Sequence, residues 1–94
     1  MVRKHNSRQN TRDSSEQRVG AALLFHRAMN LKNSGNIDEA IKILLEANAL
    51  NPDDQDVLRE LTTYYYNNAL ELREASKDSE ARVELQKCRF FNSV

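Results

Sequence analysis

The sequence predicts an all-α fold of two stacked antiparallel helical hairpins, the third helix elongated, and three observations predict it. Only two glycines and one proline occur in 94 residues, and 30% of the residues are charged. That composition favours helices over a sheet protein with its many turns. Apolar residues recur three and four positions apart, the period of one helix face. Stop signals fall in three places, Asn33-Ser34-Gly35-Asn36, Asn51-Pro52 and Ser76-Lys77-Asp78, which cut the chain into four helical lengths.

Residues 1–13 read as a disordered basic leader. Arg3, Lys4, Arg8 and Arg12 occur there before any acid, and Val2 is the one apolar residue after the initiator. Such a segment cannot offset the entropy of ordering itself. With those cations set aside, the rest of the chain holds 10 basic and 14 acidic residues. The folded domain is expected over residues 14–92. Ser14 and Gln17 have capping-box spacing, which predicts a helix start there. Val19, Ala22, Leu23, Leu24, Ala28 and Leu31 supply the apolar side of that first helix, which runs to Asn33.

Gly35 permits the left-handed conformation that closes a helix, and Asn36 is placed to cap the next. The second helix, Ile37 to Leu50, carries Ile37, Ala40, Ile41, Leu44 and Ala47 on one stripe and ends ahead of Pro52, which disfavours helical geometry in the residue before it. Asp53 or Asp54 then caps a third helix. Its stripe of Leu58, Leu61, Tyr65, Asn68, Leu72 and Ala75 runs without a breaker to Ser76. A fourth helix opens at Asp78, with Leu85 and Cys88 on its apolar side.

The stretch from Leu23 to Pro52 closely resembles one tetratricopeptide repeat: small Ala28 where two helices cross, Gly35 at the turn, Asp38-Glu39-Ala40 opening the second helix, Ala47 near its end and Pro52 after it. Asp78-Ser79-Glu80-Ala81 repeats the Asp38-Glu39-Ala40 opening, with Leu85 and Cys88 in the places of Leu44 and Ala47. From Ala40 to Ala81 is 41 positions, whereas the family period is about 34. The excess of seven is close to two helical turns, which lengthens a helix while keeping the same face inward. Counted at the family period, Thr62 falls where the small crossing residue belongs.

The resemblance implies a non-catalytic protein–protein interaction module. In tetratricopeptide proteins the first helices of successive hairpins line a concave groove, which places Ala22, Phe25, Met29, Arg59, Thr63 and Tyr66 there. One subfamily clamps the terminal carboxylate of chaperones with a lysine and an asparagine on its first helix; Phe25 and Met29 hold those places here. A partly apolar groove with an aromatic residue suits a peptide or a partner helix. Tyr64, Tyr65 and Tyr66 are consecutive and sweep about 200° of a helix, so they cannot all face one core.

Candidate chemistry is sparse. His26 adjoins Phe25 without a second histidine or paired carboxylate nearby in sequence, and reads as a packing residue; no metal, cofactor or catalytic role is expected. Cys88 is the only cysteine. It reads as a small core residue, and its isolation suits a reducing cytoplasmic or nuclear setting. No apolar run approaches the roughly 18 residues of a membrane span. Nucleic-acid binding would have to rest on the basic leader.

The expected function is therefore peptide or partner-helix binding in a tetratricopeptide-like groove. Repeat hairpins bury their faces against neighbours, so the last helix is expected to leave apolar surface, including Phe90 and Phe91, for self-association or docking in a larger assembly. Two alternatives stand beside this: a purely structural helical oligomer, and a bundle like the microtubule-interacting and trafficking domains.

Overall fold

The computed structural model describes the backbone of residues 2–92 and the side chains of residues 15–92. The basic leader expected over residues 1–13 lies outside the described side chains. Four helices follow one another, α1 (Val2–Asn33), α2 (Ile37–Leu50), α3 (Gln55–Glu74) and α4 (Asp78–Asn92), and among the described residues there is no strand. The all-α class and the elongated α3, 20 residues long, are as the periodicity predicts. The first helix differs: it has Val2 as its first residue, so Ser14 does not stand at a helix start.

The chain divides into two compact units, Met1–Pro52 and Asp53–Val94. Each is one hairpin, α1 packed on α2 in the first and α3 on α4 in the second.

Both hairpins turn by the same device. In the first, Gly35 has φ 89°, and the Asn36 amide donates to Leu31 O at 2.8 Å while the Gly35 amide donates to Lys32 O at 3.0 Å. This reciprocal pair satisfies carbonyls that a helix end otherwise leaves open. In the second, Ser76 has φ 62°, with the Lys77 amide on Leu72 O at 2.8 Å and the Ser76 amide on Arg73 O at 2.9 Å. Asn36 makes no side-chain cap of α2; it contributes only its carbonyl, which accepts from the Ala40 amide at 3.0 Å. Between the two acids expected to cap α3, Asp54 does so, its Oδ1 accepting from the amides of Asp56 at 3.0 Å and Val57 at 3.4 Å.

The unit 1 core is narrower than its apolar content suggests. Ala21 and Ala28 on α1 and Ala40, Ile43, Leu44 and Ala47 on α2 are buried, with Leu24, Leu31 and Ile41 half-buried. Val19 and Leu23 are 61% and 66% exposed, and Ala22 is exposed as well. A helix with one partner helix buries one arc, and residues 100° or more from its centre stay in water. For the same reason Ile43 replaces Ile37, which begins α2 and stays exposed.

In unit 2, Val57, Leu58, Leu61, Tyr65 and Ala69 of α3 meet Ala81 and Phe91 of α4. Ala75 lies past the end of α3 and is exposed, whereas Leu85 and Cys88 are half-buried rather than enclosed. Phe91, expected as open surface, is buried: its ring stacks on Tyr65 at 5.7 Å and 8°. Phe90 does remain open, at 63% exposure.

The offset of 41 positions relates several core and turn residues of the two hairpins. It pairs Ala28 with Ala69, Leu31 with Leu72, Gly35 with Ser76, Ala40 with Ala81 and Leu44 with Leu85. The small residue of the second hairpin is therefore Ala69, buried like Ala28, and not Thr62, which is half-buried. Counting at the shorter family period lands two turns short of the residue that packs, on the same helix face.

Candidate interaction site

The residues proposed to contact a partner sort three to each unit. On α1, Ala22 is exposed and Phe25 and Met29 are half-buried; at 100° per residue they fall within about 60° of arc. Phe25 meets the exposed His26 ring edge to face at 6.2 Å, so His26 is a surface neighbour of this face. On α3, Arg59 and Thr63 are exposed and Tyr66 is 48% exposed, again within about 60°. The Arg59 guanidinium lies 3.5 Å from Asp56 Oδ1, with both side chains in water, where such a pair holds little energy and leaves the cation available.

Arg59 and Thr63 also border a surface recess of about 230 Å³ closed by Leu58, Thr62, Phe91 and the amides Gln55 and Asn92. Its floor is apolar, from Leu58 and Phe91, and its rim is neutral and hydrogen-bonding apart from Arg59. Tyr66 stands outside it. The Tyr triplet divides as consecutive helical residues must: Tyr65 is buried, Tyr64 half-buried and Tyr66 exposed.

Beneath Tyr65 a short polar chain ties α3 to α4. Asn68 Nδ2 donates to Glu84 Oε1 at 3.3 Å, Glu84 Oε2 pairs with Lys87 Nζ at 3.1 Å, and that ammonium stands 5.4 Å over the Tyr65 ring. Asn68 thus belongs to the interior stripe as predicted, with a partner across the hairpin. Burial pushes the Tyr65 phenol above its ordinary value of 10.0, with Lys87 acting against the shift and Glu84 and Tyr64 adding to it. Tyr65, Val83, Lys87, Phe90 and Phe91 border a second depression of about 430 Å³ on α4; Val83 there is 50% exposed.

Among the described residues no group of three or more His, Cys, Asp or Glu side chains is placed to hold a metal ion, and no helix is long and apolar enough to cross a membrane. Cys88 is a free thiol on the half-buried side of α4. Comparison with protein families, curated proteins and solved structures finds no match for this chain.

The sequence did not single out Arg18, Lys32, Leu70 or Arg73, which share these helix faces. The 41-residue offset was the signal that could have found them: it carries Arg18 to Arg59, Ala22 to Thr63, Phe25 to Tyr66, Met29 to Leu70 and Lys32 to Arg73.

Proposed function

We propose that the chain is a non-catalytic protein–protein interaction module that binds a peptide or partner helix in the manner of a tetratricopeptide repeat. Ala22, Phe25 and Met29 on α1 and Arg59, Thr63 and Tyr66 on α3 are the contact residues. The observation that carries the proposal is the recurrence of one partly exposed aromatic face on the first helix of each hairpin, Phe25 in one and Tyr66 in the other. Tyr66 stands outside the core of its hairpin and Phe25 is only half-buried, and partly exposed aromatics supply contact area at small entropic loss. A cytoplasmic or nuclear setting, suggested by the lone Cys88, belongs to the same proposal.

Selection of binders from a random 15-residue peptide library, followed by measurement against Phe25→Ala and Tyr66→Ala, tests it. Loss of about tenfold or more in affinity with helical content unchanged is expected, as for aromatic contacts near the centre of an interface. Equal binding by the variants overturns the assignment.

A second reading, a structural helical oligomer, is favoured by the exposure of Val19, Leu23, Val83 and Phe90. It predicts a melting temperature that rises with protein concentration. A melting temperature constant over a hundredfold dilution removes it.

A further inference from the structure

Within each hairpin the partner face is longer than its aromatic centre. On α1 it comprises Arg18, Ala22, Phe25, Met29 and Lys32; on α3, Arg59, Thr63, Tyr66, Leu70 and Arg73. At 100° per residue each set falls within about 80° of arc. The cations and Ala22 and Thr63 are exposed, Phe25 and Met29 are half-buried, and Tyr66 and Leu70 are 48% and 37% exposed. The order is the same twice over: a cation, a small residue, an aromatic ring, a large apolar residue and a second cation. No acid stands among the ten positions, although the chain beyond its first 12 residues has more acids than bases.

We infer that the partner of each face is an apolar peptide segment flanked by acidic residues. The inference rests on the proposed function and names its ligand class. Charge complementarity selects the flanks, since the two cations of each face lie 14 positions apart, about 21 Å along a helix. The apolar centre selects what lies between. Lys32 and Arg73 also suit the negative ends of their own helices, but Arg18 and Arg59 stand far from those ends, so the dipole does not account for the pattern. Single-stranded nucleic acid is the other anionic polymer that aromatic faces bind. Cations about 21 Å apart are set too wide to track successive phosphates.

The test uses the full chain and four fluorescein-labelled probes: a 15-residue peptide with a Leu/Phe centre and two glutamates at each end, the same peptide with lysines or with glutamines at its ends, and a 15-nucleotide oligo(dT). The acidic peptide is expected to bind about tenfold tighter than the lysine form and to weaken as salt rises. Arg18→Gln and Arg59→Gln are each expected to weaken it about two- to fivefold, and to weaken the glutamine peptide less. These exposed arginines lie outside both cores, and unchanged circular dichroism checks the fold. Equal affinity for the glutamate, glutamine and lysine peptides overturns the inference while leaving the proposed function standing. So does preference for oligo(dT), or indifference of the acidic peptide to both substitutions. Failure of all three peptides, together with failure of the library selection, overturns the proposed function as well.

Discussion

Gly35 and Ser76 occupy the same place in the two hairpin turns, both with positive φ, 89° and 62°, and both donating the inner hydrogen bond of the pair. One is the residue that adopts this conformation without strain and the other is not. An L side chain there costs roughly 1–2 kcal/mol, while glycine loses more backbone freedom on folding, worth about 0.4–1 kcal/mol in the opposite direction. A Cβ added at Gly35 meets nothing within 4 Å, so Gly35→Ala carries the conformational strain without a clash. The differences give a net loss of about 0.5–1 kcal/mol for Gly35→Ala and a net gain of similar size for Ser76→Gly. Urea unfolding followed by circular dichroism reads both, and in a domain of this size 1 kcal/mol moves the melting temperature by about 4–8 °C. The two substitutions must have opposite signs. A destabilised Ser76→Gly, or a Gly35→Ala indistinguishable from the parent, would refute the claim that the two turns are equivalent.

Three further outcomes follow from the packing. Phe91→Ala removes a buried ring stacked on Tyr65 and is expected to destabilise unit 2 by about 3 kcal/mol, whereas Phe90→Ala, at a side chain 63% exposed, stays within about 0.5 kcal/mol; urea midpoints compare the two. Ala28→Leu and Ala69→Leu are each expected to cost about 1–3 kcal/mol by overpacking, while Thr62→Ala, off that position, costs less in the same assay. The raised pKa of Tyr65 means that the unfolded chain releases this proton first, so the Tyr65 contribution is complete below pH 10 and is lost as pH rises above it. Tyrosinate absorbance is expected to show one phenol ionising after the others, and Tyr65→Phe to remove that late phase.

Helix ends were the most legible feature of this sequence, because their causes are local. Gly35, Pro52 and Asp54 act within a few residues of where they stand, and α2 and α3 start and stop accordingly. The inward stripe was less legible. Ile37 and Ile43 are chemically the same, and which of them is buried depends on where the partner helix lies. Val19 and Leu23 look like core residues because they are apolar, yet unit 1 supplies no second helix to cover that side. Phe90 and Phe91 are adjacent and identical, and only the position of Tyr65 across the hairpin separates them. The candidate face was half legible: its aromatic centre and Arg59 emerged from the tetratricopeptide resemblance, but Arg18, Lys32, Leu70 and Arg73 are not positions that the resemblance singles out.

Ala69 is buried at the 41-residue offset from Ala28, the turn bonds after it repeat those after Ala28, and the first helices are 32 and 20 residues long, both above the roughly 14 of an ordinary repeat. The longer first helix therefore belongs to both hairpins. An ordinary first helix of about 14 residues spans positions i to i+13 and cannot carry two residues 14 apart, whereas a 20-residue helix such as α3 holds both with an apolar centre between them. In α3 the additional turns bring Val57 and Leu58 into the core. On the outward side the same turns give room for a cation at each end, which is where a ligand with acidic flanks would discriminate.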